Sequence, residues 1–415
     1  MISRRCLLAL AGSATVAACG PRGDARKLRF WALGAVGENA PSLLPAFRQT
    51  TGIAVDAQAV PWTGAHEKLL SGFAGHSLPD VMMLNSDWLA ELVLVGALAP
   101  LPANTPLLAD QFAGARASVE VGGHAVAVPW TADSWMQYYR RDLVAEVGYP
   151  APPLAWPEWL RMARAIKRRH PDRYATLHLL DWPEPLFNFA AQQDMPLLRD
   201  SDTRGNFASP GFRTVLAFYK TIYDEALSPM VTGAEVGDTF LSMARGWFAI
   251  LPSNAGTIGD LRRRTAIVPP DLWRVAMTPG PAGPGAAMAR GTCLAVSQST
   301  RDPALAWQLV DYLTQATTQR RLYAITGDLP TRPSAWAAPE MIGDSASQAF
   351  AHQIAHSVPA PAVPEWERIV TEVQLVAEHM VRGDYGVEAA ATEMNKRVDH
   401  ILEKRRSLLD RGRAT

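Results

Sequence analysis

Cysteine is scarce in this chain of 415 residues, which has three cysteines in all. Cys6 and Cys19 lie within the first 19 residues, so Cys293 is the only cysteine in the rest of the chain. A fold held together by internal disulfide bridges is therefore excluded for that part. No group of Cys and His residues has the spacing of a metal site, and the sequence predicts neither a metal nor a cofactor.

An excess of charge of one sign is also absent, because 40 Lys and Arg residues balance 40 Asp and Glu residues. This balance disfavours a nucleic-acid partner, since proteins that bind nucleic acids carry basic patches. Hydrophobic residues make up 48% of the chain and charged residues 19%, which is typical of a globular protein. Single cores stop growing at roughly 250–300 residues, so the length predicts two lobes.

Long apolar runs are missing except near the N-terminus, where the run is too short to span a bilayer. This run follows Arg4 and Arg5 and ends in small residues before Cys19, a pattern that resembles the lipobox of bacterial lipoproteins. The paired arginines also resemble a twin-arginine export signal. Residues 1–19 are thus predicted to be a lipoprotein signal peptide, with Cys19 lipidated and residues 20–27 forming a tether. The alternative is an ordinary signal peptide with an incidental cysteine.

Strands and helices alternate at the start of the mature chain. Predicted strands at 28–32, 53–60 and 81–84 are separated by a loop at 34–37 and by helices at 41–50, 66–73 and 88–95. This alternation predicts an α/β lobe with a mostly parallel sheet. A further strand is predicted at 124–130, and residues 131–265 are expected to be mainly helical. Later helices are predicted at 303–323, 366–382 and 387–409.

The motifs of common enzyme classes are absent from the sequence. No GxSxG elbow, HExxH sequence or Walker sequence occurs, although paired carboxylates could still act in hydrolysis. The segment PGPAGPG is predicted to be a loop and not a phosphate cradle, because its prolines lack N–H donors. The absence of these motifs therefore counts against these enzyme classes.

Six segments, in this order, resemble the family 1 extracellular solute-binding proteins, the group that includes maltose- and trehalose-type sugar-binding proteins. The first three segments are LRFWALG, AFRQTTGIAVDAQAVPW and LPDVMMLNSDWLAELVLVGALAPL. The other three segments are VPWTADSWMQYYRRDLVAEVGY, PPLAWPEWLRMARAIK and RGTCLAVSQSTRDPALAWQLVDYLT. The resemblance covers about Leu28 to Pro330. Near the middle, Gly246 and Ala249 fit the family pattern, but Trp247 and Phe248 are bulkier than expected.

The resemblance implies an α/β, two-lobed periplasmic-binding-protein fold of the type II-like class, with crossing hinge strands and a ligand cleft between the lobes. The N-terminal lobe would comprise residues 28–128 plus 277–328, and the C-terminal lobe residues 129–276 plus 329–415. The implied function is capture of a sugar or related polyol by hinge closure for an ABC importer. The implied partners are ABC permease subunits and, through the lipid anchor, the membrane on its periplasmic or extracellular face. The protein is expected to be a monomer.

Two other functions stay open. A sensor or scaffold lipoprotein without a transport role would fit the bulky Trp247 and Phe248. A hydrolase on the same fold would cleave the bound sugar, whereas a transport protein would release it intact.

A sugar site needs flat apolar faces and polar groups, because aromatic rings stack on the sugar and polar side chains bind its hydroxyls. The candidates follow strands or lie at lobe crossings: Glu38, Trp62, Asn85, Asp87, Trp130, Asp133, Trp182, Asn254, Arg290 and Trp366. The resemblance implies that Asp133 bridges two hydroxyls and that Trp182 and Trp366 are stacking platforms.

Each candidate also has a structural explanation. Asp87 would cap the next helix, Glu38 would favour a helix N-terminus, and the tryptophans would be packing residues. The run Arg262–Arg264 is predicted to be a solvated face.

Overall fold

The computed structural model describes residues 27–411, apart from the side chain of Arg290. The predicted signal peptide, the lipidation site Cys19 and most of the predicted tether lie outside the described residues. Lys27, the last residue of the predicted tether, begins the first strand. Among residues 27–411, no helix combines the length and the apolar character that crossing a membrane requires.

The strands of the described chain are β1 (Lys27–Leu33), β2 (Ala54–Val60), β3 (Val81–Asn85), β4 (Glu120–Val121), β5 (His124–Ala125), β6 (Val128–Asp133), β7 (Met136–Arg140), β8 (Tyr174–Thr176), β9 (Leu198–Arg199), β10 (Arg204–Gly205), β11 (Phe248–Ser253), β12 (Trp273–Ala276), β13 (Ala287–Met288), β14 (Arg290–Val296), β15 (Leu329–Pro330) and β16 (Ser357–Val358).

The helices are α1 (Gly34–Asn39), α2 (Leu44–Thr51), α3 (Ala65–Ala74), α4 (Leu89–Leu94), α5 (Ala113–Ala117), α6 (Arg141–Ala145), α7 (Trp156–Arg169), α8 (Glu184–Ala191), α9 (Pro210–Asp224), α10 (Gly233–Val236), α11 (Thr239–Ala244), α12 (Gly256–Arg263), α13 (Pro303–Thr314), α14 (Ala316–Thr326), α15 (Pro333–Trp336), α16 (Pro339–Ile342), α17 (Ser345–Ala355), α18 (Trp366–Arg382), α19 (Val387–Ile401) and α20 (Glu403–Asp410). Short 3₁₀ turns include Ser86–Trp88, just before α4.

The first lobe is built on a six-stranded sheet in the order β15-β6-β14-β3-β1-β2. β1 pairs in parallel with β2 and β3, as the alternating pattern predicts. β14 is antiparallel to β3 and β6, so the sheet is mixed. All five residues of β3 are buried, because helices cover both faces of the sheet. The lone thiol of Cys293 lies on β14 with 0% exposure.

The second lobe contains a four-stranded sheet in the order β12-β7-β11-β8. Neighbouring residues of β7 point to opposite faces, because side chains alternate along a strand. Tyr139 packs in a core with helices α7, α9, α18 and α19, whereas Tyr138 packs in a second core with α12 and α17. The four-stranded sheet of the second lobe is therefore covered by helices on both faces.

Most predicted elements appear, but some differ from the prediction. The predicted helix 41–50 divides at Leu43 into a 3₁₀ turn, Ala40–Ser42, and α2. Residues 34–37, predicted as a loop, begin helix α1. The predicted helix 303–323 is broken at Gln315, whose backbone is extended, and the predicted helix 387–409 is broken at Leu402. The predicted strand 124–130 divides into β5 and β6.

The chain crosses between the lobes at three places. β6 belongs to the first sheet and β7 to the second, so the first crossing follows Asp133. The second crossing lies between β12 and β14, and the third leads from α14 and β15 into α15. The lobe boundaries remain a proposal, and sheet membership assigns β6 and β15 to the first lobe.

Two glycines bring helix α12 of the second lobe directly against the third crossing. A Cβ atom on Gly259 would overlap the carbonyl oxygen of Thr326, and one on Gly327 would lie 2.6 Å from the nitrogen of Gly259. Gly327 also has a φ of +86°, in the left-handed region that favours glycine. The two backbones can approach this closely only because neither residue has a side chain.

We expect Gly259→Ala to destabilise the protein by about 1–3 kcal/mol, because the added methyl group overpacks a backbone contact. The midpoint of urea unfolding measures the loss. Gly283→Ala is the matched control, since a Cβ atom there meets nothing within 4 Å. Equal losses in the two variants would contradict the close contact.

Candidate functional site

A cavity of about 410 Å³ lies where the two sheets face each other. The first lobe contributes Trp62, Asn85, Thr131, Gly291 and Thr292. The second lobe contributes Trp135, Glu184, Asn254, Asp260 and Arg263, and the crossings add Asp133 and Asp328. A volume of this size falls in the range of small-molecule sites, roughly 300–1,000 Å³.

Four of the predicted site residues line this cavity together. They come from separate parts of the chain: Trp62, Asn85, Asp133 and Asn254. Trp62 and Asn85 lie at strand ends in the first lobe, and Asn254 follows β11 in the second lobe. The rule that strand ends meet at the cleft therefore places these side chains together.

Trp62 provides an open aromatic face at the cavity, with 48% of the residue exposed. Its indole lies over Gly34, where a Cβ atom would be 2.5 Å from Nε1. Its ring also meets the ring of Trp88 edge to face at a centroid distance of 6.2 Å. An exposed indole fixed on two sides is suited to stack on a flat apolar surface.

Asp133 connects the first crossing to the second lobe. Its Oδ1 atom accepts hydrogen bonds from the backbone N–H groups of Ser134 and Ala255, both at 2.8 Å. Ala255 is the residue that precedes α12. One carboxylate oxygen therefore fixes the start of this helix, in addition to lining the cavity.

A charged cluster stands beside the third crossing. Arg263 donates a hydrogen bond of 2.8 Å from Nη2 to Oδ1 of Asp260, and both residues line the cavity with Asp328. Burial raises the pKa of Asp328 to about 6, and the nearby charge of Asp260 contributes to the rise. This carboxyl group therefore changes charge close to neutral pH.

The run Arg262–Arg264 is solvated as predicted, with 43%, 45% and 41% of the three side chains exposed, but its middle member also lines the cavity. Arg262 pairs with Asp344 and Arg264 pairs with Asp238, but Arg263 lines the cavity. Helical geometry explains the difference, because consecutive residues point about 100° apart around a helix.

A second chamber of about 150 Å³ adjoins the main cavity, and the two share Asn85 and Glu184 as lining residues. The predicted residues Asp87 and Trp366 lie here, together with Trp88, Phe187 and Glu367. Trp366 is 2% exposed and packs against Phe187 at a centroid distance of 5.4 Å. The side chain of Asn85 accepts a hydrogen bond from the N–H of Asp87, so Asn85 caps this turn, and the cap by the side chain of Asp87 stays a prediction.

Trp130 is not a cleft residue, contrary to the prediction. Its indole is 0% exposed, donates a hydrogen bond of 3.0 Å to the carbonyl of Leu313, and packs against Phe30. On β6 it points into the core of the first lobe, because side chains alternate and its neighbour Thr131 faces the cavity.

Two further candidates, Glu38 and Trp182, do not line the main cavity, and the side chain of a third, Arg290, is not among the described parts of the chain. Glu38 is an exposed residue of α1. Trp182 packs edge to face on Trp135, with ring centroids 5.6 Å apart, and supports the cavity wall indirectly. Arg290 pairs through its backbone with Asp133, and the role predicted for its side chain lies outside the described part of the chain.

Several cavity residues were missed by sequence reasoning: Trp135, Glu184, Asp260, Arg263 and Asp328. Glu184 begins α8, and an acidic residue followed by proline is a helix-start signal that could have indicated it. Asp260 and Arg263 lie one helical turn apart on α12, directly after β11. Within residues 27–411, no group of three or more His, Cys, Asp and Glu residues could hold a metal ion.

We expect Asp328→Asn to stabilise the protein at pH 7.5 but not at pH 4. The folded-state pKa of about 6 exceeds the ordinary value of 3.8, so the folded state holds the proton more tightly. The free energy of unfolding therefore falls as pH rises through this window. Screening of this partly exposed group reduces the effect to roughly 1 kcal/mol. Thermal unfolding midpoints measure it, and an equal gain at both pH values would contradict the ionisation.

Comparison with known proteins identifies the family. The family model described as bacterial extracellular solute-binding protein matches residues 42–349. The structure of the sugar-binding protein MalE from Xanthomonas citri is 39% identical, with a TM-score of 0.87, and the match covers 92% of this chain and 99% of that one.

Two further proteins are more distant. The GacH receptor of Streptomyces glaucescens is 20% identical with a TM-score of 0.82, over 91% of this chain and 99% of that chain, and shows the same fold. An uncharacterized lipoprotein of Streptomyces antibioticus is 28% identical over 334 residues, which cover 74% of this chain and 71% of that protein. With two lobes, a cavity between them and a family match over most of its length, the chain belongs to the bacterial extracellular solute-binding proteins.

Proposed function

We propose that this protein captures a carbohydrate in the cavity between its lobes and delivers it to the permease of an ABC importer. The observation that carries the proposal is the pairing of an exposed indole, Trp62, with amide and carboxylate side chains around one cavity. A sugar presents both an apolar C–H face and hydroxyl groups, so it matches this pairing.

Polar groups surround the cavity on both lobes. Asn85 and Asn254 offer amides that donate and accept, and Asp260 and Asp328 offer carboxylates that accept from hydroxyls. The hydroxyl oxygens of Thr131 and Thr292 lie 2.8 Å apart at the wall. Hydroxyls of a neutral ligand could therefore bind on more than one side.

The relationship to MalE of Xanthomonas citri supports the carbohydrate class, because that protein is named as sugar-binding and is 39% identical. Binding would draw the lobes together around the three crossings, so that both lobes contact the sugar at once. The permease would then receive the closed, loaded form. A catalytic role has no support in this family, whose members are described as solute-binding.

The protein is further proposed to be exported and anchored through lipid at Cys19, and to act as a monomer. The small residues before Cys19 support the anchor, as does the lipoprotein name of the Streptomyces antibioticus relative. Replacing Cys19 by Ser should abolish metabolic labelling with a fatty acid. Labelling that persists would overturn the anchor.

Thermal unfolding against a panel of sugars, polyols and their phosphates tests the proposed ligand class. A ligand at about 100 times its Kd stabilises the native state by roughly 2.7 kcal/mol. We expect one class of sugars to raise the unfolding midpoint and to be recovered intact afterwards. A panel without any shift would overturn the carbohydrate assignment, and a cleaved sugar would favour a hydrolase.

We expect Trp62→Ala to raise the Kd for the stabilising sugar about tenfold, or ~1.4 kcal/mol, because the stacking face is lost. Unfolding without ligand should change little, since Trp62 is 48% exposed. Leu94→Ala, at a residue of α4 that is 72% exposed and does not line the cavity, is the control. Titration calorimetry measures both, and an unchanged Kd in Trp62→Ala would contradict the stacking role.

A further inference from the structure

Two histidines lie one helical turn apart at the end of helix α17. His352 is in the last turn of the helix, and His356 is its C-cap residue. Both residues are exposed, and neither lines the main cavity or the second chamber. Their rings stack at a centroid distance of 4.7 Å, with an angle of 19° between the planes. The surface therefore presents two imidazoles side by side, apart from the candidate ligand site.

A hydrogen bond determines which nitrogen of His356 is available to a ligand. Nδ1 of His356 lies 2.8 Å from the carbonyl oxygen of His352. A carbonyl oxygen only accepts hydrogen bonds, so the proton of the neutral ring is on Nδ1 and the lone pair is on Nε2. Histidines that bind metals are commonly held in this way, with the other ring nitrogen donating to a backbone carbonyl.

The spacing of the two histidines suits a metal ion. Residues four positions apart on a helix have Cβ atoms about 5–6 Å apart, and two histidines at this spacing bind zinc in a helical metalloprotease motif. Because the two rings are nearly parallel, the ring of His352 must turn for both lone pairs to meet at one ion. The torsion about Cβ–Cγ of histidine is soft, and His352 is exposed, so this rotation costs little.

The end of the helix itself also favours a cation. Helix α17 has 11 residues, and both histidines lie at its C-terminal end. The last carbonyl groups of a helix lack partners within the helix and carry partial negative charge. A positive ion held by the two rings is therefore placed at the favourable end of the helix dipole.

We propose that His352 and His356 bind one divalent transition-metal ion of the nickel, copper and zinc group, with water molecules as the remaining ligands. Neutral imidazole is a ligand of these ions, whereas Mg²⁺ and Ca²⁺ prefer oxygen ligands. The pair was not predicted from the sequence, because two ligands are fewer than the four of a closed structural site. This site is separate from the cavity between the lobes and does not depend on the capture of a carbohydrate.

The ion would stabilise a segment that lies next to the second crossing. Strand β16 directly follows His356 and pairs in parallel with β13. The N–H of Ala289 donates to the carbonyl of Val358 at 2.7 Å. The unfolded chain does not hold the two rings one helical turn apart, so the ion binds the folded state better and stabilises it. We therefore expect saturating NiCl₂ to raise the thermal unfolding midpoint.

Titration calorimetry with NiCl₂ tests the site on the full chain, prepared without a polyhistidine tag. We expect Ni²⁺ to bind and MgCl₂ to give no binding signal, because imidazole is a poor ligand for Mg²⁺. Absence of Ni²⁺ binding to the unaltered protein would overturn the proposal, whatever the sugar panel shows.

His352→Ala and His356→Ala each remove one ligand. We expect each variant to weaken Ni²⁺ binding by at least about tenfold and to lose the rise in the unfolding midpoint. Unfolding without metal should change little, since both residues are exposed.

His124→Ala is the matched control for these variants. His124 is an exposed histidine of β5 that lies far from the other histidines in the sequence. Its replacement should leave the Kd for Ni²⁺ unchanged. An unchanged Kd in either His352→Ala or His356→Ala would contradict the paired site, and so would an equal loss of binding in His124→Ala.

Discussion

Close contact between the backbones of α12 and the third crossing is the constraint on which this structure depends. Gly259 and Gly327 allow a helix of the second lobe to lie directly against the segment that leaves the first lobe. The same helix carries Asp260 and Arg263 into the cavity, and its start is held by Asp133. The position of one helix therefore determines the relation of the lobes and one wall of the site.

This arrangement places polar side chains of two crossings, Asp133 and Asp328, at the cavity. The crossings must carry hydrogen-bonding groups, because their backbone leaves one sheet without yet joining the other. Asp133 accepts from the N–H of Ser134 at the first crossing, and Thr326 accepts from the N–H of Asp328 at 3.2 Å at the third. Trp62 lies in the first lobe, in the segment between β2 and α3.

Sequence patterns predicted much of the fold, because hydrophobic periodicity and helix-capping residues act on nearby residues in the chain. Helix α18 begins and ends where the sequence predicts, and Gly52 ends α2 in the left-handed conformation, with φ of +72°. The break at Gln315 could not be predicted, since the composition around it is compatible with one continuous helix. Only tertiary packing of α13 and α14 on different surfaces favours the extended residue between them.

The sequence predicted cleft residues correctly where they follow the end of a strand. It could not predict which residues within a strand or helix point toward the cavity. Asn85 and Asn254 follow strands and therefore reach the cleft. Trp130 and Thr131 are neighbours on one strand, and only the register of β6 against β14 decides which of them faces the cavity. Arg263 points in a different direction around α12 from Arg262 and Arg264. A run of three identical residues gives no sign of this in the sequence.

The single thiol that follows the N-terminal segment is a natural reporter of the unfolding of the first lobe. Cys293 is fully buried in the middle of the first sheet, next to the carbonyl of Leu84, and burial raises the pKa of its thiol. Thiol reagents react with the thiolate. The folded first lobe protects this sulfur because it keeps reagents out and because it keeps the thiol protonated. The rate at which Cys293 is modified would therefore measure how often the first lobe unfolds, whatever the state of the second lobe.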